Sequence, residues 1–264
     1  MLPVFIATVT VAIVGLVIGV LLVNVGKKFA VEVDEKEAAV RECLPGNNCG
    51  GCGFAGCDAC AAAIANGEAP VSACPVGGAP VAERIGSIMG VEADAETVKM
   101  VAYVKCSGDC DKAVTNGNYV GIADCQAAAA SGLNPKACAD GCLGFGSCVK
   151  ACQFDAIHVI NGIARVDRSK CVSCGQCVAA CPKHLIELIP DKSQYAVRCA
   201  SIDKGAVVKK ACSAGCIACK ICEKQCENDA IHVVNNISHI DYDKCRYCGK
   251  CAEKCPVKVI EKRF

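Results

Sequence analysis

Cysteine is the residue type that carries chemistry here: the chain holds 27 of them in 264 residues. They fall in runs spaced two or three residues apart, too close for most of them to bridge one another. Thiolates at this spacing point to metal ligation, and a reducing compartment keeps them out of disulfides. The chain is long for a disulfide scaffold and shows no basic start with a small-residue cleavage site, as a secretory signal would need. No C-x-x-C is followed by His, so c-type haem is not indicated. Zinc sites would instead use separate C-x-x-C pairs, usually with longer spacers.

The clearest runs are Cys216, Cys219, Cys222 and Cys226, then Cys245, Cys248, Cys251 and Cys255, with Pro256 closing the second. This pattern resembles the bacterial two-cluster ferredoxins. There, three close thiolates cap three irons of one [4Fe–4S] cube and the fourth crosses to the other cube. The resemblance implies Cys216, Cys219, Cys222 and Cys255 for one cluster, and Cys226, Cys245, Cys248 and Cys251 for the other.

An earlier segment repeats this unit at an offset of 74: FDAIHVINGIARVDRSKCVSCGQCVAACP from Phe154 recurs as NDAIHVVNNISHIDYDKCRYCGKCAEKCP from Asn228. Its second run, Cys171, Cys174, Cys177 and Cys181 before Pro182, is intact. Its first run reads Cys138, Cys142, Cys148 and Cys152, with Phe145 where the repeat calls for cysteine. The simplest repair gives the vacant iron to Cys138. One cluster then takes Cys138, Cys142, Cys148 and Cys181, and the other Cys152, Cys171, Cys174 and Cys177. A three-iron cluster lacking one corner is the competing expectation.

Nearer the N-terminus stand Cys49, Cys52 and Cys57, with Cys74 before Pro75, the complement for one further cube. The glycines among them let backbone N–H groups approach the sulfurs. Gly51-x-Gly53-x-x-Gly56 formally matches a dinucleotide fingerprint, but no strand precedes it and Cys52 already has a use. Of the remaining cysteines, Cys106, Cys125, Cys199 and Cys212 are expected to close a sixth cluster. The duplication permits the rival set Cys125, Cys138, Cys199 and Cys212. Cys43, Cys60 and Cys110 read as structural thiols. His158 and His232 occupy equivalent places on short β patterns and read as packing residues rather than ligands.

The elements that position these thiols read as an α+β chain. It comprises an N-terminal transmembrane helix, a small Fe–S module and duplicated ferredoxin-like domains. Residues 2–25 carry no charge and are long enough to cross a hydrocarbon core of about 30 Å. Lys27 and Lys28 follow, placing the bulk of a single-pass protein on the cytoplasmic side. The expected division is an anchor at 1–26, a linker at 27–42, the N-terminal module at 43–80 and a connecting helical segment at 81–124. The repeats follow at 125–198 and 199–264. Residues 80–104, ending in VKMVAYV, read as one or two short helices.

Formal net charge is +1, which excludes a strong general pull on nucleic acid. Residues 29–100 carry 4 Lys/Arg against 11 Asp/Glu, a balance of −7, whereas residues 204–264 carry 12 against 7, a balance of +5. Trp is absent and aromatics are 4%, so metal ligation must supply folding energy that apolar burial cannot.

Taken together, the apolar N-terminus, the LPGNNCGGCGFAGC…CPVGG module, the GCLGFGSCVKAC run and the ferredoxin repeat resemble the B subunit of the Rnf complex. Rnf is a membrane-bound ferredoxin:NAD oxidoreductase that pumps Na⁺ or H⁺, and the similarity covers essentially the whole chain, in its longer, multi-cluster form. The resemblance implies five to six [4Fe–4S] clusters, six favoured, with reduced ferredoxin and other membrane subunits as partners. NAD and flavin sites would lie on those partners. An anchored polyferredoxin serving another membrane reductase is the alternative, and a structural iron–sulfur protein a third reading. Acidic ferredoxin is expected to dock at Lys244, Arg246, Lys250, Lys254 and Lys258, around the last cysteine run.

Overall fold

The computed structural model describes residues 2–28, 34–92 and 98–264. The first helix, α1, runs Leu2–Lys28. Its described side chains, Ile6 and residues 12–25, are all exposed. Among the described residues no helix is long and apolar enough to cross a membrane.

Three helices build the N-terminal module: α2 (Glu35–Cys43), α3 (Cys57–Ala65) and α4 (Gly78–Met89). Asp34 caps α2 by accepting from the Lys36 N–H at 2.9 Å, and Glu35 and Glu37 in the first turn suit the helix dipole. Asn48 Oδ1 accepts from the Cys57 N–H at 2.8 Å where α3 begins. Val40, Leu44, Cys60, Ile64, Val81 and Ile85 form the core between the helices.

The rest of the chain folds as two copies of one ferredoxin-like unit. The first has β1 (Met100–Val104) paired antiparallel with β4 (Ile186–Pro190), and the hairpin β2 (Ile157–Ile160) with β3 (Ile163–Val166). The second has β5 (Tyr195–Val197) with β8 (Ile260–Lys262), and the hairpin β6 (Ile231–Val234) with β7 (Ile237–Ile240). Six helices of four to seven residues complete the fold: α5 (Cys125–Ala130), α6 (Ser147–Lys150), α7 (Gln176–Ala179), α8 (Gly205–Ala211), α9 (Ile221–Lys224) and α10 (Lys250–Glu253).

The duplication reaches the backbone itself. Asp155 and Asp229, Asn161 and Asn235, Ser173 and Tyr247, and His184 and Lys258 adopt positive φ at matching places. The cores match as well: Ile157, Ile163 and Leu185 in the first unit correspond to Ile231, Ile237 and Val259 in the second.

One expectation is corrected. The end of the segment read as helical is a strand, because MVAYV has the β-branched and aromatic content of a strand and finds a partner in IELIP, with Val101 opposite Ile189. This strand precedes the first cysteine run yet completes that unit's sheet.

Candidate iron–sulfur sites

The four four-residue helices of the ferredoxin-like units each begin at a residue in the left-handed region: Gly146, Gly175, Lys220 and Gly249 cap α6, α7, α9 and α10. This reversal points the cysteines of each run inward around a common hollow. Cys152, Cys171, Cys174 and Cys177 line one small cavity. Cys226, Cys245, Cys248 and Cys251 line its counterpart in the second unit. Cys216, Cys219, Cys222 and Cys255 form a third set. Burial pushes the Cys222 thiol up to about 11, and its three companions are near enough to add to that rise.

In the first unit the structure exchanges two expected positions. The cavity with Cys142, Cys148 and Cys181 is completed by Cys125, not by Cys138. Cys138 lines a separate cavity with Cys106, Cys199 and Cys212. The cause is local. Asp124 caps α5 by accepting from the Gln126 N–H at 2.8 Å. Its other oxygen accepts from Ser147 Oγ at 2.7 Å, and that hydroxyl accepts from the Cys125 N–H at 2.8 Å. The first turns of α5 and α6 are thereby tied together, and Cys125 is carried to Cys148. Phe145, at the position of the missing cysteine, packs against Tyr119 with ring centroids 4.8 Å apart. The rival set that joined Cys125 and Cys138 is therefore not brought together either.

In the N-terminal module, Cys52, Cys57 and Cys74 pack around the α2–α4 core. Burial raises the Cys74 thiol, and Cys52 and Cys57 add to the rise. Cys49 stands on the turn before them, where its carbonyl accepts from the Gln176 side-chain amide. Gly51 presses against the first unit so closely that a Cβ there would lie 2.8 Å from the Cys174 carbonyl oxygen.

The donor sets fit polynuclear clusters rather than single ions. Four sulfurs on one zinc, each at about 2.3 Å, would sit within about 4 Å of one another. Among the described residues, no three His, Cys, Asp or Glu are drawn together in a way that would hold one metal ion. The sulfurs also receive backbone N–H groups. Ala102 donates to Cys171, Ala156 to Cys152 and Leu185 to Cys181, each at 3.4 Å, and Ala230 donates to Cys226 at 3.3 Å. Such donors stabilise thiolate charge in a dry setting. Burial pushes the Cys148 and Cys177 thiols up to about 12, so a positively charged group is needed there to hold them as thiolates.

Comparison with known proteins follows the same lines. A family model for an Fe–S cluster matches residues 44–76, and a 4Fe-4S binding domain matches residues 164–187 and 238–261. The chain is 45% identical to the B subunit of the Na⁺-translocating ferredoxin:NAD⁺ oxidoreductase complex of Acetobacterium woodii, over 93% of this chain and 74% of that protein. It is 43% identical to the B subunit of an ion-translocating oxidoreductase complex of Methanosarcina acetivorans, over 94% of each chain. The B subunit of the proton-translocating ferredoxin:NAD⁺ oxidoreductase complex of Clostridium ljungdahlii is 44% identical, over 96% of this chain and 90% of its own. The chain belongs to the B-subunit family of ion-translocating oxidoreductase complexes. It is an iron–sulfur electron-transfer subunit of an oxidoreductase.

Within this B-subunit chain, three functional positions carry no signal in the sequence. Lys136 is buried on the Cys106–Cys138–Cys199–Cys212 cavity, its ammonium bonded to the Gly108 carbonyl at 2.8 Å and the Gly162 carbonyl at 2.9 Å. Ser147 and Gln176 are the other two; a lone polar residue beside a cysteine run has nothing in its spacing to mark it. Of the remaining thiols, Cys43 ends α2 and Cys110 is exposed, but Cys60, buried on α3, lies among the N-terminal set: burial first, then Cys52, Cys74 and Cys57, pushes its thiol up to about 12. His158 and His232 lie on the hairpins beside Asp155 and Asp229, at 3.6 Å and 3.5 Å.

Proposed function

We propose that the chain holds six [4Fe–4S] clusters and passes electrons from reduced ferredoxin to other subunits of a membrane-bound, ion-translocating complex that reduces NAD⁺. When bound, the clusters supply the one-electron carriers. The chain's own residues supply ligation, spacing and exclusion of water. The ligand sets are Cys49, Cys52, Cys57 and Cys74; Cys152, Cys171, Cys174 and Cys177; Cys125, Cys142, Cys148 and Cys181. The others are Cys106, Cys138, Cys199 and Cys212; Cys216, Cys219, Cys222 and Cys255; and Cys226, Cys245, Cys248 and Cys251.

The observation that carries this reading is that successive sets touch. Cys49 is close enough to Cys174 to raise its thiol pKa, after the larger effect of burial. Cys177 stands in the same relation to Cys148. The Cys142 N–H donates to Cys106 Sγ at 3.5 Å, which joins the first unit to the middle set. Cys199 receives the backbone N–H of Cys216, which joins the middle set to the second unit. Cys226 and Cys251 pack on the same core as Cys216, Cys222 and Cys255, which adds the last set to the series. The six sets thus form one series. Its C-terminal end has Cys219 and Cys248 exposed, which suits a site where electrons arrive.

The same reading makes α1 a membrane anchor with the cluster-bearing bulk on the cytoplasmic side. Its support is the uncharged stretch at residues 2–25, a 27-residue helix, the exposed Ile13, Leu16, Leu21 and Leu22, and the two lysines that follow. Rapid mixing of the cluster-loaded chain with reduced ferredoxin tests the proposal. Spectra should show the C-terminal sets reduced before the N-terminal one. Reduction by dithionite but not by ferredoxin would contradict it, as would arrival at the Cys49 set first.

A further inference from the structure

The largest cavity described holds no cysteine at all. It measures about 310 Å³ and lies between β1 and β3 of the first unit and β8 of the second. Its walls carry five cations: Arg165, Arg168, Arg198, Lys262 and Arg263. Glu261 is the one carboxylate on them. Outside the lining, Asp191 pairs with Arg168 and contacts no other cation of the wall by ion pair among the described residues.

Two donors on this wall are buried without partners. The Arg198 side chain is only 8% exposed; its two terminal nitrogens bond Glu261 at 3.0 Å and the Cys106 carbonyl at 2.9 Å, yet its Nε bonds nothing. The Tyr103 hydroxyl is likewise unpartnered. Arg198 and Arg263 lie 6.0 Å and 5.5 Å from the Tyr103 ring centroid, so two guanidinium groups converge on one phenol. An unpaired buried donor is costly, and like charges at close range add to that. Burial indeed pulls the Arg263 guanidinium below its ordinary pKa. A wall like this is relieved by an anion with more than one charge and several acceptor oxygens.

We propose that the cavity binds a small polyanion of the diphosphate class. Guanidinium forks match phosphoryl oxygens two at a time. Each terminal phosphoryl group brings about −1.5 to −2 of charge, so two such groups balance the wall where a single carboxylate does not. A volume of about 310 Å³ is at the small end of ligand pockets, enough for a diphosphate or a nucleoside diphosphate and ample for one phosphate ion. Arg198 also links the site to the Cys106 carbonyl, so occupancy is felt beside the middle thiol set.

The test is anaerobic calorimetry on the full, cluster-loaded chain at low salt, with pyrophosphate, ADP and tricarballylate as probes. Pyrophosphate should bind one per chain, ADP also, and tricarballylate at least tenfold more weakly. Arg165 is half-exposed on the hairpin, so Arg165→Ala removes a cation without opening the core, and it should weaken pyrophosphate about tenfold. Glu261→Gln removes the competing carboxylate and should tighten it severalfold. These opposite responses separate a built site from loss of fold. Failure of pyrophosphate and ADP to bind overturns the proposal, as does indifference to both variants or a preference for tricarballylate. Slower reduction by ferredoxin in Arg165→Ala, without pyrophosphate binding to the parent, would assign the wall to a protein partner and also overturn it.

Discussion

Gln176, at the start of α7, donates its side-chain amide to the carbonyl of Cys49, 127 residues earlier, and so fastens the N-terminal module to the first ferredoxin-like unit. Gly51 sits against Cys174 at the same junction. Replacing Gly51 with Ala drives a Cβ into the Cys174 backbone and should part the two thiol sets without removing a cysteine. Iron content should stay at the parental value, while reduction of the N-terminal set slows severalfold relative to its neighbour. Freeze-quench spectroscopy of the two signals checks this; parallel rates would show that the junction is not the path.

The exchange of Cys125 and Cys138 makes a paired prediction. Cys125→Ala should remove the signal of the Cys142–Cys148–Cys181 set and spare that of Cys106, Cys199 and Cys212, and Cys138→Ala should do the reverse. Ser147→Ala leaves the cysteines alone but breaks the link from Asp124 to Cys125. It should cost about 1–3 kcal/mol in denaturant unfolding of the cluster-loaded chain.

Lys136 is a buried cation whose ammonium is shared by two carbonyls beside four thiols. Lys136→Met should destabilise the chain by about 2–3 kcal/mol, because Gly108 and Gly162 lose a charge-assisted donor. Removing positive charge next to thiolates should also make that set harder to reduce, a shift to more negative potential. A redox titration that leaves the middle set unmoved would mean the charge is felt elsewhere.

The lysines around the last cysteine run are not equivalent as a ferredoxin surface. Lys250 is paired with Glu227 at 2.5 Å, and Lys244 lies between Asp229 and Asp241, each at 3.9 Å. Arg246 and Lys254 are exposed and have no ion pair among the described residues. Charge reversal at Arg246 and Lys254 together should slow reduction by ferredoxin more than reversal at Lys250 alone. The difference should shrink as salt shortens the Debye length to about 8 Å near 0.15 M. Reduction by a small neutral donor should be unchanged in both.

What is legible in the sequence follows from where information is local. The offset of 74 carries the duplicated hairpins and their positive-φ residues, because turn and cysteine spacing are written within about 30 residues. Cys226, Cys245, Cys248 and Cys251 meet in one cavity, as the resemblance to two-cluster ferredoxins implies. Where the duplication breaks, at Phe145, the spacing no longer decides between Cys125 and Cys138. The deciding contacts are an Asp124 cap and a Ser147 hydroxyl 23 residues away, which no periodicity reveals. VKMVAYV reads as helix for a related reason: its strand partner, Ile186–Pro190, lies more than 80 residues on. Lys136 and Arg198 look like surface charges in the sequence, and only the fold buries them.

The central claim is six [4Fe–4S] clusters on six four-cysteine sets, the sixth on Cys106, Cys138, Cys199 and Cys212. Iron and sulfide analysis of the anaerobically reconstituted full chain tests it most directly. About 24 iron and about 24 sulfide per chain are expected, falling to about 20 of each in the Cys212→Ala variant. A plateau near 20 in the parent chain, unchanged in that variant, would contradict it.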